Sequence, residues 1–190
     1  MKLQEAVELQ KEALLKTLQE SIRIRSVEDT PAEDAPYGMG IRDCLDHALQ
    51  TAKELGFSVV NLDNQMGWCE YGEGEEMIAV LGHLDVVPEG EGWSFRPFGG
   101  EIRDGKVLGR GSIDDKGPTI TALYALAALR DSKLPLKRRI RILFGTNEET
   151  GSNDMKYYIS HGGELPVMGI TPDGEYPVIN GEKGIINVDF

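Results

Sequence analysis

Three short strand-like runs rich in apolar residues alternate with helical segments after residue 57: MIAVLG (77–82), RRIRILFG (138–145) and VMGI (167–170). A strand that is apolar at consecutive positions has no polar face, so it must be covered on both sides. The segment 116–130 lies between the first two runs. It begins Gly117-Pro118, with Pro at a helix start, and is apolar almost all round, the pattern of a buried helix. A shorter helix is predicted over 152–161, ended by Gly162-Gly163. This alternation restricts the fold to α/β, with a mixed, largely parallel sheet flanked by helices. FSVVNL (57–62), MGWCEYG (66–72) and KGIINVDF (183–190) add strands. RDGK (103–106) is a hairpin turn inside a Gly/Pro-rich stretch, 88–111.

The first half begins with two amphipathic helices. Residues 2–24 place Leu3, Val7, Leu14, Leu18 and Ile22 on one stripe, and residues 40–55 form a second helix ended by Gly56. Residues 27–37 carry two prolines and four acids and read as a loop. No repeat, low-complexity segment or linker divides the chain, so a single domain is expected.

The charge balance excludes several partners. Lys plus Arg number 20 against 32 Asp plus Glu, a net charge of −12. Such a chain repels phosphate backbones and anionic lipid, which argues against nucleic acid and membrane surfaces. Met1 to Ser26 has no apolar core run, so neither a signal peptide nor a membrane span is expected. Two cysteines, Cys44 and Cys69, are too few and wrongly spaced for a disulfide scaffold. They point to a reducing, cytoplasmic setting and to small buried apolar groups.

The polar residues follow the apolar runs. MIAVLG is followed by His83-Leu84-Asp85, the run ending FGT by Asn147-Glu148-Glu149, and VMGIT by Pro172-Asp173. Asp114-Asp115 stand just before the Pro118 helix. In open α/β sheets, ligands bind beyond the carboxyl ends of the strands. Each cluster alone has a bland reading: a surface turn, an acid pair favoured by a helix dipole, a solvated loop. Jointly those readings give no reason for one His and several acids to follow buried runs on one sheet edge. Converging carboxylates repel unless cations lie between them.

One imidazole with several carboxylates suits Zn²⁺ or Mn²⁺. More than three carboxylates exceed the needs of one tetrahedral ion. Two ions sharing a bridging carboxylate, roughly 3.5–4 Å apart in hydrolytic sites, fit better. A carboxylate outside the ligand set could then take a proton from the attacking water.

The motifs GHLDVVPEG (82–90), GWSFRPFGGEIRDGKVLGRGSIDDKGP (92–118), ILFGTNEETGS (142–152) and ITPDGEYPVINGEKG (170–184) resemble the co-catalytic zinc exopeptidases of peptidase family M20, most closely its dipeptidase V branch. The resemblance implies that His83 and Asp173 bind one metal, that Asp114 bridges to a second, and that Glu149 binds the second. It implies Asp85 as the residue behind His83, Glu148 as the general base, and a cis Asp114–Asp115 bond. The implied cofactor is two Zn²⁺, with Mn²⁺ or Co²⁺ as alternatives. The implied reaction is hydrolysis of an amide bond in a dipeptide. N-acyl amino acid deacylation on the same centre is a second reading, and a non-catalytic folding or interaction module a third.

The family also uses a second His from a C-terminal part of the catalytic domain and an inserted lid domain. His47 and His161 do not follow a strand in the right place. On the resemblance, residues 1–190 form the N-terminal part of the catalytic domain, without the lid or the C-terminal part. The chain alone is then expected to be inactive and to self-associate through uncovered apolar surface. Trp93, Phe95 and Phe98 read as packing of the Gly-rich loop, and Arg110 as the partner of an acid, either near the site or in a structural salt bridge. GRGSID (109–114) is no phosphate loop, because Asp114 occupies the anion position and no G-K-[ST] follows.

Overall fold

The computed structural model describes residues 1–175, 178–181, 183 and 184. The helices are α1 (Leu3–Arg23), α2 (Met39–Glu54), α3 (Lys116–Ser132) and α4 (Asn153–Ser160). The strands are β1 (Ser58–Leu62), β2 (Met66–Tyr71), β3 (Met77–His83), β4 (Glu101–Arg103), β5 (Lys106–Leu108), β6 (Arg139–Gly145) and β7 (Met168–Ile170). Residues 185–190, the greater part of the strand expected over 183–190, lie outside the described residues.

Five strands form one sheet in the order β1-β2-β6-β3-β7. β3 pairs in parallel with both β6 and β7, whereas β2 is antiparallel to β1 and to β6. Only β2 therefore runs against the others, and the sheet is mixed and largely parallel. Its two faces are sorted by strand alternation. Ile142 and Phe144 of β6 pack with Cys69, Leu84, Leu45 and Leu49 of α2, and Leu123 and Leu126 of α3. On the other face Leu143, Met77 and Ala79 meet Tyr158 of α4. Each fully buried Leu, Ile, Phe or Met among them contributes about 1.5–3 kcal/mol by leaving water. β4 and β5 form a separate hairpin, and Asp104 and Gly105 both take positive φ, 52° and 73°, as its two-residue turn requires.

α3 is the buried helix of the fold. One side lies on the sheet, and Ile120 and Tyr124 meet Leu18 and Ile22 of α1. α1 runs antiparallel to it: Gln10 Nε2 donates to Asp131 Oδ2, Thr17 Oγ1 meets the Tyr124 hydroxyl, and Lys116 Nζ donates to the Ser21 carbonyl. This pairing corrects the expected stripe on α1. Leu18 and Ile22 are buried, but Leu3 and Val7 are 41% and 49% exposed. α3 ends at Ser132, opposite Gln10, so the first turns of α1 extend past any helix they could pack against.

A groove of about 1170 Å³ runs along α3 and the β7 side of the sheet. Val80, Ala122, Leu129, Ile140 and Ile170 line it, and Asp114 and Asp173 stand at its polar end.

Candidate metal centre

Because β3, β6 and β7 are parallel, their carboxyl ends reach one edge. His83 pairs with Gly145 at the end of β6, and Val80 pairs with Ile170 at the end of β7. Asp173 is three residues past Ile170, as His83 is three past Val80, so register alone brings them level. Their atoms lie close: Asp173 Oδ2 is 3.4 Å from His83 Nε2. Asp114 Oδ1, from the turn before α3, lies 3.2 Å from the same nitrogen, and Glu148 Oε2 lies 3.8 Å away.

His83 is 3% exposed and forms the floor, whereas the side chains of Asp114 and Glu148 are about half-exposed above it. His83 Nδ1 lies 3.0 Å from the carbonyl oxygen of Asp85. A carbonyl can only accept, so Nδ1 carries the proton. In the neutral ring Nε2 then presents a lone pair to the acids. That nitrogen is buried and has no hydrogen-bond partner among the described residues. A buried imidazole nitrogen without a hydrogen bond, beside several carboxylates, is the donor set that a divalent cation needs, so the residues fit a metal.

Among the described residues two groups of side chains could each hold an ion: His83 with Asp114 and Glu149, and His83 with Glu148 and Asp173. His83 is common to both. The resemblance divides the residues differently, with Glu148 outside the ligands and His83 beside Asp173 and Asp114. The other two histidines lie elsewhere. His47 Nε2 is 3.7 Å from Glu20, and the ring of His161 stacks on Tyr157 at 3.7 Å.

Electrostatics follow from crowding. Burial pushes the His83 pKa down, but the Asp85 side chain and the Asp115 carboxylate outweigh it and raise it to about 10. Burial raises Glu148 and Glu149 above the usual range, and the acids around them add to the effect. Burial likewise pushes Asp115 up to about 6, against the bonds it accepts.

Asp115 does more than follow Asp114, to which it is joined by a cis peptide bond. Its Oδ2 accepts the His83 backbone N–H at 3.1 Å and the Thr119 hydroxyl at 2.9 Å, tying the end of β3 to the start of α3. Lys116, wholly buried, donates to the carbonyls of Ser21 and Ile24 and ties that start to α1. Neither tie was legible in the sequence. Trp93 and Phe95 pack edge to face at 5.2 Å, as expected for loop packing. The Arg110 guanidinium lies 5.3 Å over the Trp93 ring and its Nε has no hydrogen-bond partner among the described residues. A cation–π contact thus stands where an ion pair was expected. Cys44 and Cys69 are free and buried. No helix among the described residues is long and apolar enough to cross a membrane.

The sequence model of peptidase family M20/M25/M40 matches residues 79–188, more than half of the chain. The chain belongs to this family. M20 peptidases are metallopeptidases, and a metal cofactor goes with the family. Among curated relatives, the chain is 45% identical to the putative dipeptidase YtjP of Bacillus subtilis over 182 residues, 95% of this chain and 39% of that protein. It is 42% identical to a Beta-Ala-Xaa dipeptidase of Lactobacillus delbrueckii subsp. lactis over 189 residues, 98% of this chain and 40% of that protein. The chain thus spans about two fifths of the length of these relatives. Human carnosine dipeptidase 1 shares the fold, with a TM-score of 0.71 at 23% identity over 92% of this chain and 42% of that one.

Proposed function

We propose that these 190 residues are the N-terminal part of the catalytic domain of a cytoplasmic metallo-dipeptidase, and that His83, Asp114, Glu149 and Asp173 hold two divalent cations, zinc foremost. The observation that carries this reading is the bare His83 Nε2, buried, with carboxylates from three different elements within 3.8 Å. The dipeptidase names of the relatives support the substrate class, a small peptide. Two buried free thiols accord with a reducing compartment.

The bound cations would supply positive charge at the scissile carbonyl oxygen and acidify a water at neutral pH. The chain's own residues do the rest. Asp85 holds the His83 ring through its carbonyl, fixing the tautomer that leaves Nε2 free. Glu148, half-exposed and raised by burial, takes a proton from the attacking water at Oε2 and returns it to the leaving amine.

The test is Zn²⁺ titration of the chain beside its His83→Ala and Glu149→Ala variants. Each substitution is expected to weaken binding by tenfold or more. Equal binding in all three would refute the site.

A further inference from the structure

The segment 146–152 carries both Glu148 and Glu149, yet their carboxylates have little to hold them: Glu149 Oε1 accepts the Val87 N–H at 3.3 Å. What fixes the segment lies behind it. Asp154, in the first turn of α4, is 1% exposed. Its Oδ2 accepts the N–H groups of Thr146 at 2.6 Å and Asn147 at 3.1 Å, the two residues that leave β6. Its Oδ1 accepts the Met155 N–H at 2.7 Å.

Other buried groups extend the same grip. Asn147 is wholly buried; its Oδ1 accepts from Asn153 N at 3.1 Å, and its carbonyl accepts the Ser152 N–H at 2.7 Å. The Thr146 hydroxyl donates to the Gln65 carbonyl, and the Tyr37 hydroxyl donates to Gln65 Oε1 at 2.6 Å. At Gly145 a Cβ would meet Asp154 Oδ2 at 3.0 Å and His83 Cβ at 3.2 Å, so the carboxylate is packed against the very end of the strand pair.

An acid in the first turn of a helix ordinarily serves the helix dipole from the surface. That role needs neither burial nor bonds outside the helix. Burying a carboxylate is costly unless hydrogen bonds replace its water, and here two of its three donors belong to the loop, not to α4.

We infer that Asp154 is a positioning residue: it holds the segment 146–152 in the one path that turns Glu148 and Glu149 toward His83. Its consequence for metal binding rests on the function proposed above; its hold on the loop does not.

The test is amide hydrogen exchange on the metal-free 190-residue chain, with Co²⁺ binding measured in parallel. Asp154→Asn keeps the shape but turns one acceptor into an NH₂ donor facing backbone N–H groups. Asp154→Ser keeps an acceptor for Met155 and releases Thr146 and Asn147, so it spares the helix start if the first variant does not fold. The reporter is the Glu149 N–H, which bonds Asp85 and does not touch Asp154. Its exchange is expected to quicken by tenfold or more, with Val80 in β3 unchanged. Ile159→Gly loosens α4 from an exposed position and is expected to leave Glu149 protected. Equal acceleration in Ile159→Gly, or less than twofold in the Asp154 variants, would overturn the assignment. Co²⁺ affinity is expected to fall about 10–100-fold, as for other groups that orient ligands. If the wild-type chain bound no Co²⁺, the proposed metal site would fail while the exchange result would still judge Asp154.

Discussion

The Oδ2 atom of Asp85 accepts the backbone N–H of Glu149 at 3.0 Å, joining the segment after β3 to the loop after β6. Its other oxygen lies 3.4 Å from His83 Nδ1. One residue therefore steadies the imidazole through its carbonyl and the peptide of a neighbouring acid through its carboxylate, a double task that an H-x-D motif does not reveal.

Asp85→Ala leaves the carbonyl that accepts from His83 Nδ1, but it removes the charge beside that ring and strands the Glu149 N–H. An unsatisfied buried donor costs about 1–3 kcal/mol, and loss of a group behind a metal-bound His costs about 10–100-fold in affinity. Urea unfolding and competitive Zn²⁺ titration check the two effects separately.

The metal-free chain is expected to lose stability as pH rises. His83 holds its proton up to about 10 in the fold, against about 6.5 unfolded. Its contribution is full below pH 6.5 and is lost as pH climbs through 10. Asp115, raised to about 6, acts in the same direction: its contribution is full below about 3.8 and is lost through about 6. Melting temperatures across this range check the slope. Zn²⁺ must displace the His83 proton, so binding should tighten with pH and its heat should vary with the buffer.

Glu148→Gln is expected to abolish dipeptide turnover in the full-length enzyme while metal content stays within the error of the wild type. A general base contributes about 10²–10⁴-fold. Elemental analysis beside a hydrolysis assay checks both. Loss of one ion would instead make Glu148 a ligand, as its grouping with His83 and Asp173 allows.

The 190-residue chain, saturated with Zn²⁺, is expected to hydrolyse dipeptides far more slowly than a full-length relative. Its three histidines place one imidazole at the site, so a second ion would share carboxylates alone or compete for His83. A dipeptidase assay against the full-length protein tests this. The apolar groove beside α3 should also make the chain self-associate, which sedimentation reads directly.

Gly82→Ala should destabilise the fold by about 1–3 kcal/mol and loosen His83. A Cβ there would collide with Thr119 Oγ1 and approach Asp115 Oδ2 to 2.8 Å, displacing the tie between β3 and α3. Thermal unfolding checks the loss.

Local pattern determined the element types and the edge on which the chemistry gathers. Consecutive apolar positions at 77–82 and 142–145 leave no polar face there, and parallel strands then put His83, Glu148 and Asp173 on one side. Distances between segments far apart in the chain were beyond reach of that pattern. Which carboxylates share His83 depends on side-chain reach across three elements, and the stripe on α1 on where α3 stops. The burial of Asp115, Lys116 and Asp154 was beyond that pattern too, because it comes from partners 32, 95 and 8 positions away. Periodicity records which face a residue occupies; only the packed structure decides what it meets there.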